Sequence, residues 1–224
     1  MSGDQLNNFF ASPLGIGVSV VVCCAVLVII AGVFYRKRQF SARVLAISAM
    51  CVALSAILSN IKLFNMPQGG SVTAFSMLFI ALAGYWFGPA AGILAGVAGG
   101  LLNLAISPFV VHPIQLLLDY PFAFGALGIS GFFRNVMRNH TIGKSRVKFD
   151  GLVIGYAIAV LARWFMSFIS GFVFFSDYAG DMNPVIYSAV YNISYILPEM
   201  FITIIILFVP VIRNAIDMVG NIKA

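Results

Sequence analysis

Asp119 is the side chain with the clearest chemical potential. It lies in the apolar stretch His112 to Gly131, HPIQLLLDYPFAFGALGISG, with Tyr120 and Pro121 directly after it. A carboxylate at membrane depth is costly unless it faces a polar interior, so such a residue marks a substrate or ion site. Two other apolar segments carry polar side chains at helical spacing. His112, Gln115 and Asp119 fall at i, i+3 and i+7; Arg163, Ser167 and Ser170 at i, i+4 and i+7; Ser188, Asn192, Tyr195 and Glu199 at i, i+4, i+7 and i+11. Each set lies along one face of a helix, and in a bilayer the three faces must turn towards one another or towards water. At about 1.5 Å of rise per residue, Asp119, Ser167, Tyr187 and Asn192 form an upper layer, and Arg163 and Glu199 a lower one. The upper layer is expected to be a pocket open to the outside. The lower is expected to be an ion pair between consecutive antiparallel helices. A carboxylate beside Tyr120, with Phe172, Phe174, Phe175 and Tyr187 towards the same membrane face, suits a small organic cation through charge pairing, hydrogen bonding and cation–π attraction. His112, at the membrane edge, reads as a helix cap or interfacial residue.

The elements that must position these residues are membrane helices. Of 224 residues, 61% are hydrophobic and 9% charged, and mean hydropathy is +1.02; a soluble domain carries roughly 25% charged residues. The apolar runs are long enough for helices across a core of roughly 30 Å, and a barrel would instead show alternating segments of about 10 residues. The net charge of +6 is clustered. Arg36, Lys37, Arg38 and Arg43 form one group, Arg134, Arg138, Lys144, Arg146 and Lys148 a second, and Arg213 and Lys223 a third, leaving Lys62 and Arg163 outside. By the positive-inside rule the clusters mark the cytoplasmic side. A nucleic-acid partner is excluded because no soluble domain presents a basic face. Cys23, Cys24 and Cys51 have neither metal-ligand spacing nor polar surroundings and read as packing residues; no cofactor or metal is called for.

In chain order, residues 1–12 lack a basic n-region, so 13–35 reads as a retained helix with its N-terminus outside. RKRQFSAR, 36–43, is a cytoplasmic turn. A helix follows from about Val44 to Asn60, with Ala49 and Ala53 on one face in small-xxx-small spacing that permits close helix approach, within the chain or to a partner. KLFNMPQGGS, 62–71, reads as an outer loop. Helices at about 72–87 and 90–106 meet at Gly88-Pro89, and the second carries Gly92, Gly96, Gly99 and Gly100 for close packing. His112 and Pro113 open the next helix. A helix at about 151–175, an outer loop with Asp177 and Asp181, and a last helix at about 185–212 complete seven, with the C-terminus cytoplasmic.

Three other chemistries are weaker. Gly143-Lys144-Ser145 resembles the end of a phosphate-binding loop, but Arg138 stands where its first glycine belongs and no strand precedes it. Gly128-Ile129-Ser130-Gly131 fits a nucleophile pattern for an intramembrane serine protease, yet His112 lies at the far end of the same helix and His140 in the basic loop. A stand-alone ion-coupled carrier with Asp119 titrating would commonly show an inverted repeat, and none is evident.

MPQGGS (66–71), HPIQLLLDY (112–120), SGFVFF (170–175) and YSAVYN (187–192), in this order and spacing, resemble the thiamine-specific substrate-binding subunit, or S component, of energy-coupling factor transporters. The similarity spans about 43–212. It implies an all-α membrane protein with a six-helix bundle at 43–224, so that 1–42 adds an N-terminal transmembrane helix and basic turn. It implies thiamine or a related small cation as ligand, captured from outside and released inside through a transmembrane coupling subunit and two ATPase subunits. The family's pyrimidine-binding acidic position falls on Asp119, its adjoining aromatic on Tyr120, the tyrosine and asparagine near the vitamin's other end on Tyr187 and Asn192, and the stacking aromatic on Phe175. Gln115 and His112 extend this set, and the coupling-subunit docking motif falls on Ala49 and Ala53. Ser167 stands where members commonly have histidine, which bears on the choice among thiamine, its phosphates and its pyrimidine precursor; an S component for another small vitamin is the alternative.

Overall fold

The computed structural model describes residues 40–136 except 68, residues 151–220, and the single residues 12 and 18. The expected helix at 13–35, Cys23, Cys24, His140 and the segment 143–145 lie outside the described residues. Within them the chain is an all-α membrane bundle carrying one small hairpin.

Helix α1 (Ala42–Ser59) starts where the Ser41 hydroxyl accepts a bond from the Val44 amide at 3.3 Å, occupying one of the amides that a helix start leaves unpaired. The stretch after it is a hairpin, a correction to the simple loop expected: β1 (Lys62–Asn65) and β2 (Ser71–Thr73) pair antiparallel, Lys62 opposite Thr73 and Phe64 opposite Val72. Leu63, Phe64, Val72 and Thr73 favour extended backbone, and Gly69, at φ 88°, lets the chain reverse. Helix α2 (Ser76–Phe87) has only 12 residues, and α3 (Pro89–Ile106) follows through Gly88, whose φ of 95° permits the turn into Pro89.

The glycine face of α3 packs as its sequence implies. A Cβ on Gly100 would fall on the Tyr120 carbonyl, and one on Gly96 on the Phe124 carbonyl. This contact holds α4 (Pro113–Phe133) close, and α4 is not a uniform helix. It runs as α-helix over Pro113–Leu117, widens to a π-helical turn at Leu118–Phe122, returns to α over Ala123–Ala126 and tightens to 3₁₀ at Leu127–Phe133. Pro121 has no amide hydrogen to continue the ladder, and a widened turn accommodates it. The widened turn carries Asp119 and Tyr120.

Helix α5 (Gly151–Phe174), a short turn at Ser176–Ala179, and α6 (Pro184–Leu207) form the facing wall. The Asn183 side chain caps α6 by accepting from the Val185 amide at 2.9 Å. The last helix ends earlier than expected. Pro210, lacking an N–H, starts a separate helix α7 (Pro210–Gly220), which buries Ile216 and exposes Val211 and Met218. The Trp86 indole fastens it by donating to the Ile216 carbonyl at 3.1 Å.

The core joins α2, α4, α5 and α6 through Met77, Ile80, Leu127, Leu152, Tyr156, Val160 and Ile196. The outside of the bundle is apolar as well, with Met50, Ile57, Phe132, Phe165, Phe201 and Ile205 all exposed. Five helical segments, α1, α3, α4, α5 and α6, are long and apolar enough to cross a membrane, so the exposed apolar band faces lipid and the chain is a multi-pass membrane protein.

Candidate substrate-binding site

A cavity of about 150 Å³ lies between the hairpin, the start of α2, and helices α3 to α6. Gln115, Asp119, Tyr120, Ser167, Phe175, Tyr187 and Asn192 all line it; His112 does not. His112 instead caps α4, its Nδ1 accepting from the Ile114 amide at 3.1 Å, and its ring stacks on Phe174 with centroids 4.9 Å apart.

Asp119 is held from two helices. The Gln115 amide donates to Asp119 Oδ2 at 2.6 Å, and the Ser170 hydroxyl donates to the same oxygen at 2.9 Å. Gln115 is itself fixed, accepting from the Val111 amide at 3.1 Å and donating to the Phe109 carbonyl at 3.2 Å. With both donors on Oδ2, the lone pairs of Oδ1 remain for a ligand. The Tyr120 hydroxyl accepts from the Phe109 amide at 2.8 Å and donates to the Ser107 carbonyl at 3.2 Å. Tyr120 thereby pins the loop before α4, and with it Phe109, whose ring stacks on Phe175 at 5.8 Å and 13°.

The α6 side is a tyrosine ladder. Tyr187, Tyr191 and Tyr195, one turn apart, have successive ring centroids 5.8 Å apart. Tyr195 donates to Asn192 Oδ1 at 2.7 Å, while Asn192 Nδ2 donates to the Ser188 carbonyl at 2.9 Å and to the Ser167 carbonyl at 3.3 Å. The Tyr191 hydroxyl accepts from the Gly70 amide at 3.3 Å, tying the hairpin over the cavity. Around Asp119 the site thus combines a carboxylate with a free oxygen, oriented amides and hydroxyls, and flat aromatic faces, which is the chemistry that holds a small heteroaromatic cation.

The expected ion pair of Arg163 and Glu199 is not formed, and the lower layer does not lie beneath the pocket. Both residues line the cavity. Glu199, 3% exposed, takes four donors from the segment that joins β2 to α2: the Thr73 amide at 3.1 Å and hydroxyl at 2.6 Å on Oε2, and the Ser76 hydroxyl and Met77 amide, both at 3.2 Å, on Oε1. It therefore acts as the cap of α2 from another helix, a position where backbone amides and the helix dipole stabilise a negative charge. Arg163 stacks instead on the Phe124 ring, its guanidinium carbon 4.3 Å from the centroid.

Sequence reasoning missed Thr73 and Ser76 as partners of Glu199, and Phe109, Tyr191 and Lys62 as lining residues. Tyr191 is legible in retrospect, one turn from both Tyr187 and Tyr195. The Glu199 partners are not, because they lie 122 to 126 residues away. Ser130, the serine of the weaker nucleophile pattern, is fully buried and donates to the Ala81 carbonyl at 2.6 Å, which makes it a helix-packing residue. Among the described residues no group of three or more His, Cys, Asp or Glu could hold a metal.

A multi-pass helical bundle with a polar, aromatic-walled cavity around a poised carboxylate is a membrane protein built to bind a small solute. Residues 45–218 match the family model for thiamine transporter protein, and the chain belongs to that family. It is 40% identical over 166 residues to the thiamine transporter ThiT of Bacillus subtilis (strain 168), covering 73% of this chain and 85% of that one. It is 32% identical over 128 residues to the thiamine transporter ThiT of Lacticaseibacillus paracasei, covering 56% and 60%. A solved structure of ThiT from Listeria monocytogenes shares the fold, with a TM-score of 0.61 at 24% identity over 73% of this chain and 90% of that one.

Proposed function

We propose that this chain is the thiamine-binding S component of an energy-coupling factor importer, capturing the vitamin at the outer face for ATP-driven uptake by a transmembrane coupling subunit and two ATPase subunits. The observation that carries the reading is Asp119 Oδ1, free of protein donors and facing a cavity walled by Tyr120, Phe175 and the α6 tyrosines. Thiamine brings a cationic thiazolium, an aminopyrimidine with donors and acceptors, and two flat rings. Asp119, Tyr120, Gln115, Tyr187 and Asn192 supply the matching polar contacts, and Phe175 the stacking face. Residues 43–224 form the substrate-binding membrane domain, a reading supported by the family match over 45–218. The basic clusters, read by the positive-inside rule, support an N-terminus outside and a C-terminus in the cytoplasm.

Isothermal titration of the purified protein with thiamine, without ATP, tests the reading, and Asp119→Asn is expected to weaken binding by about 1 to 3 kcal/mol through loss of a charge-assisted contact. Wild-type affinity no better than millimolar would sink the assignment.

Ser167 gives a second expectation. Its side chain is buried at the cavity wall, beside the Asn192 amide that bonds its carbonyl. Ser167→His should be tolerated, with thiamine affinity unchanged or up to about tenfold tighter, roughly 1.4 kcal/mol. A lowered melting temperature with unchanged affinity per folded molecule would show that position 167 serves packing, where the larger ring costs about 1 to 3 kcal/mol.

A further inference from the structure

Helix α7 carries more apolar surface than the bundle covers. Ile212, Ile216 and Val219 fall at i, i+4 and i+7; Ile216 is buried in the core, Ile212 packs against it, and Val219 is half-buried. Val211, Ala215 and Met218 repeat that spacing one residue earlier, and all three are exposed. At 77% and 73%, Val211 and Met218 are the two most exposed large hydrophobic residues among the described ones. The polar residues gather on the remaining side, where Arg213 Nε lies 3.8 Å from Asp217 Oδ2 and Asn214 is exposed. Helical periodicity sets the two apolar stripes side by side. The helix therefore has one continuous apolar face, of which the protein covers half.

The position of α7 says what covers the other half. Ile205, Phe208 and Val209, at the end of α6 and in the link to α7, are exposed as well, so the uncovered stripe continues the lipid-facing band. With 11 residues, α7 is about 16 Å long, half of a hydrocarbon core of roughly 30 Å, and cannot cross it. The recess between α7 and the bundle fixes its depth. Tyr85, Trp86, Arg134, Asp217 and Gly220 line that recess, and Trp, Tyr and Arg are side chains that collect at the headgroup level. The Trp86 indole, bonded to the Ile216 carbonyl, ties α7 to that level. Arg134 is exposed there and opens the basic cluster 134–148, which attracts anionic headgroups.

We propose that α7 is a membrane-surface helix that docks on the phospholipids of the inner leaflet. Val211, Ala215 and Met218 enter the boundary between headgroups and acyl chains, Arg213, Asn214 and Asp217 face the cytoplasm, and Trp86 and Arg134 stand among the headgroups. A short helix with an apolar face and a charged one lies in the plane of the interface in this way. The contact holds the ends of α6 and α2, which α7 joins through the Trp86 bond, at one depth in the bilayer. The inference takes from the proposed function only the orientation that decides which leaflet is meant.

The test places a photoreactive diazirine side chain at position 211, 214 or 218 of the full chain in cell membranes, and mass spectrometry identifies what each one captures. Positions 211 and 218 should yield phospholipid adducts about fivefold or more above position 214. Capture of a second copy of this chain or of another membrane protein at 211 and 218 overturns the proposal. Reaction with water alone there, or equal lipid capture at all three positions, overturns it too. Hydrogen exchange of the purified protein in lipid nanodiscs gives an independent reading. Val211→Asp combined with Met218→Asp should speed exchange over residues 210–220 about tenfold, and Asn214→Asp less than twofold, with melting curves confirming a folded bundle. Unchanged exchange in the double variant would show that Ile216 and the Trp86 bond hold α7 without lipid, and would overturn the proposal. If the double variant does not fold, the capture experiment decides, because it needs no charged substitution. None of these outcomes involves thiamine, so the proposed function stands or falls separately.

Discussion

Cells expressing a variant with both Ala49 and Ala53 changed to phenylalanine are expected to lose thiamine uptake, while the purified variant still binds thiamine as wild type does. Both alanines are exposed on α1, together with Ala42, Ala46, Leu45, Met50 and Leu54. They point away from the Val44, Cys51 and Ser55 face that packs on the bundle. Small side chains let a second helix approach its backbone closely, and two phenyl rings would hold that helix away. Neither alanine lines the cavity, so on the proposed S-component reading the substitutions separate docking to a coupling subunit from ligand capture. The readouts are radiolabelled thiamine uptake in cells that depend on this protein, and titration of the isolated protein. Uptake that persists in the double variant, or in cells lacking the coupling ATPases, would count against the S-component reading and favour a carrier working alone.

Glu199→Ala is expected to cost the protein about 3 to 5 kcal/mol, because it leaves the Thr73 and Met77 amides buried without an acceptor and the Ser76 and Thr73 hydroxyls with only each other. The same change frees the hairpin from α6 at its inner end, leaving the bond of the Tyr191 hydroxyl to the Gly70 amide. Glu199→Gln keeps the shape and one acceptor oxygen, and about half the loss is expected. Thermal melting in detergent and hydrogen exchange at residues 62–77 measure the two effects. Exchange should accelerate there before it does in α5. Melting of Glu199→Ala within a few degrees of wild type would show that the four bonds contribute little. Phe75 makes the cost of disorder at this segment asymmetric: its φ of 63° is unfavourable for a residue with a Cβ, so the segment holds that conformation only while its neighbours are anchored.

Sequence alone determined the solvent of this protein and most of its elements. The lengths of the apolar runs set the helices, because a lipid core demands backbone bonds within each segment. Pro113 and Gly88-Pro89 placed two of their ends, because proline lacks a donor and glycine tolerates the turn. The helical spacing of Gln115, Asp119, Ser167, Ser170, Tyr187 and Asn192 put them on inward faces, and polar groups in a membrane have few other places to go. What spacing cannot encode is which inward-facing group meets which. Arg163 and Glu199 stand on consecutive helices and are opposite in charge, yet the hairpin brings Thr73, Ser76 and Met77 to Glu199, and oriented amides at a helix start satisfy a carboxylate without a guanidinium. The π-helical turn that presents Asp119 and Tyr120 was signalled only by Pro121, and the separate helix α7 only by Pro210. A proline says where the regular ladder fails; the tertiary packing decides whether the chain then widens, as it does in α4 against the glycines of α3, or turns away, as it does after α6.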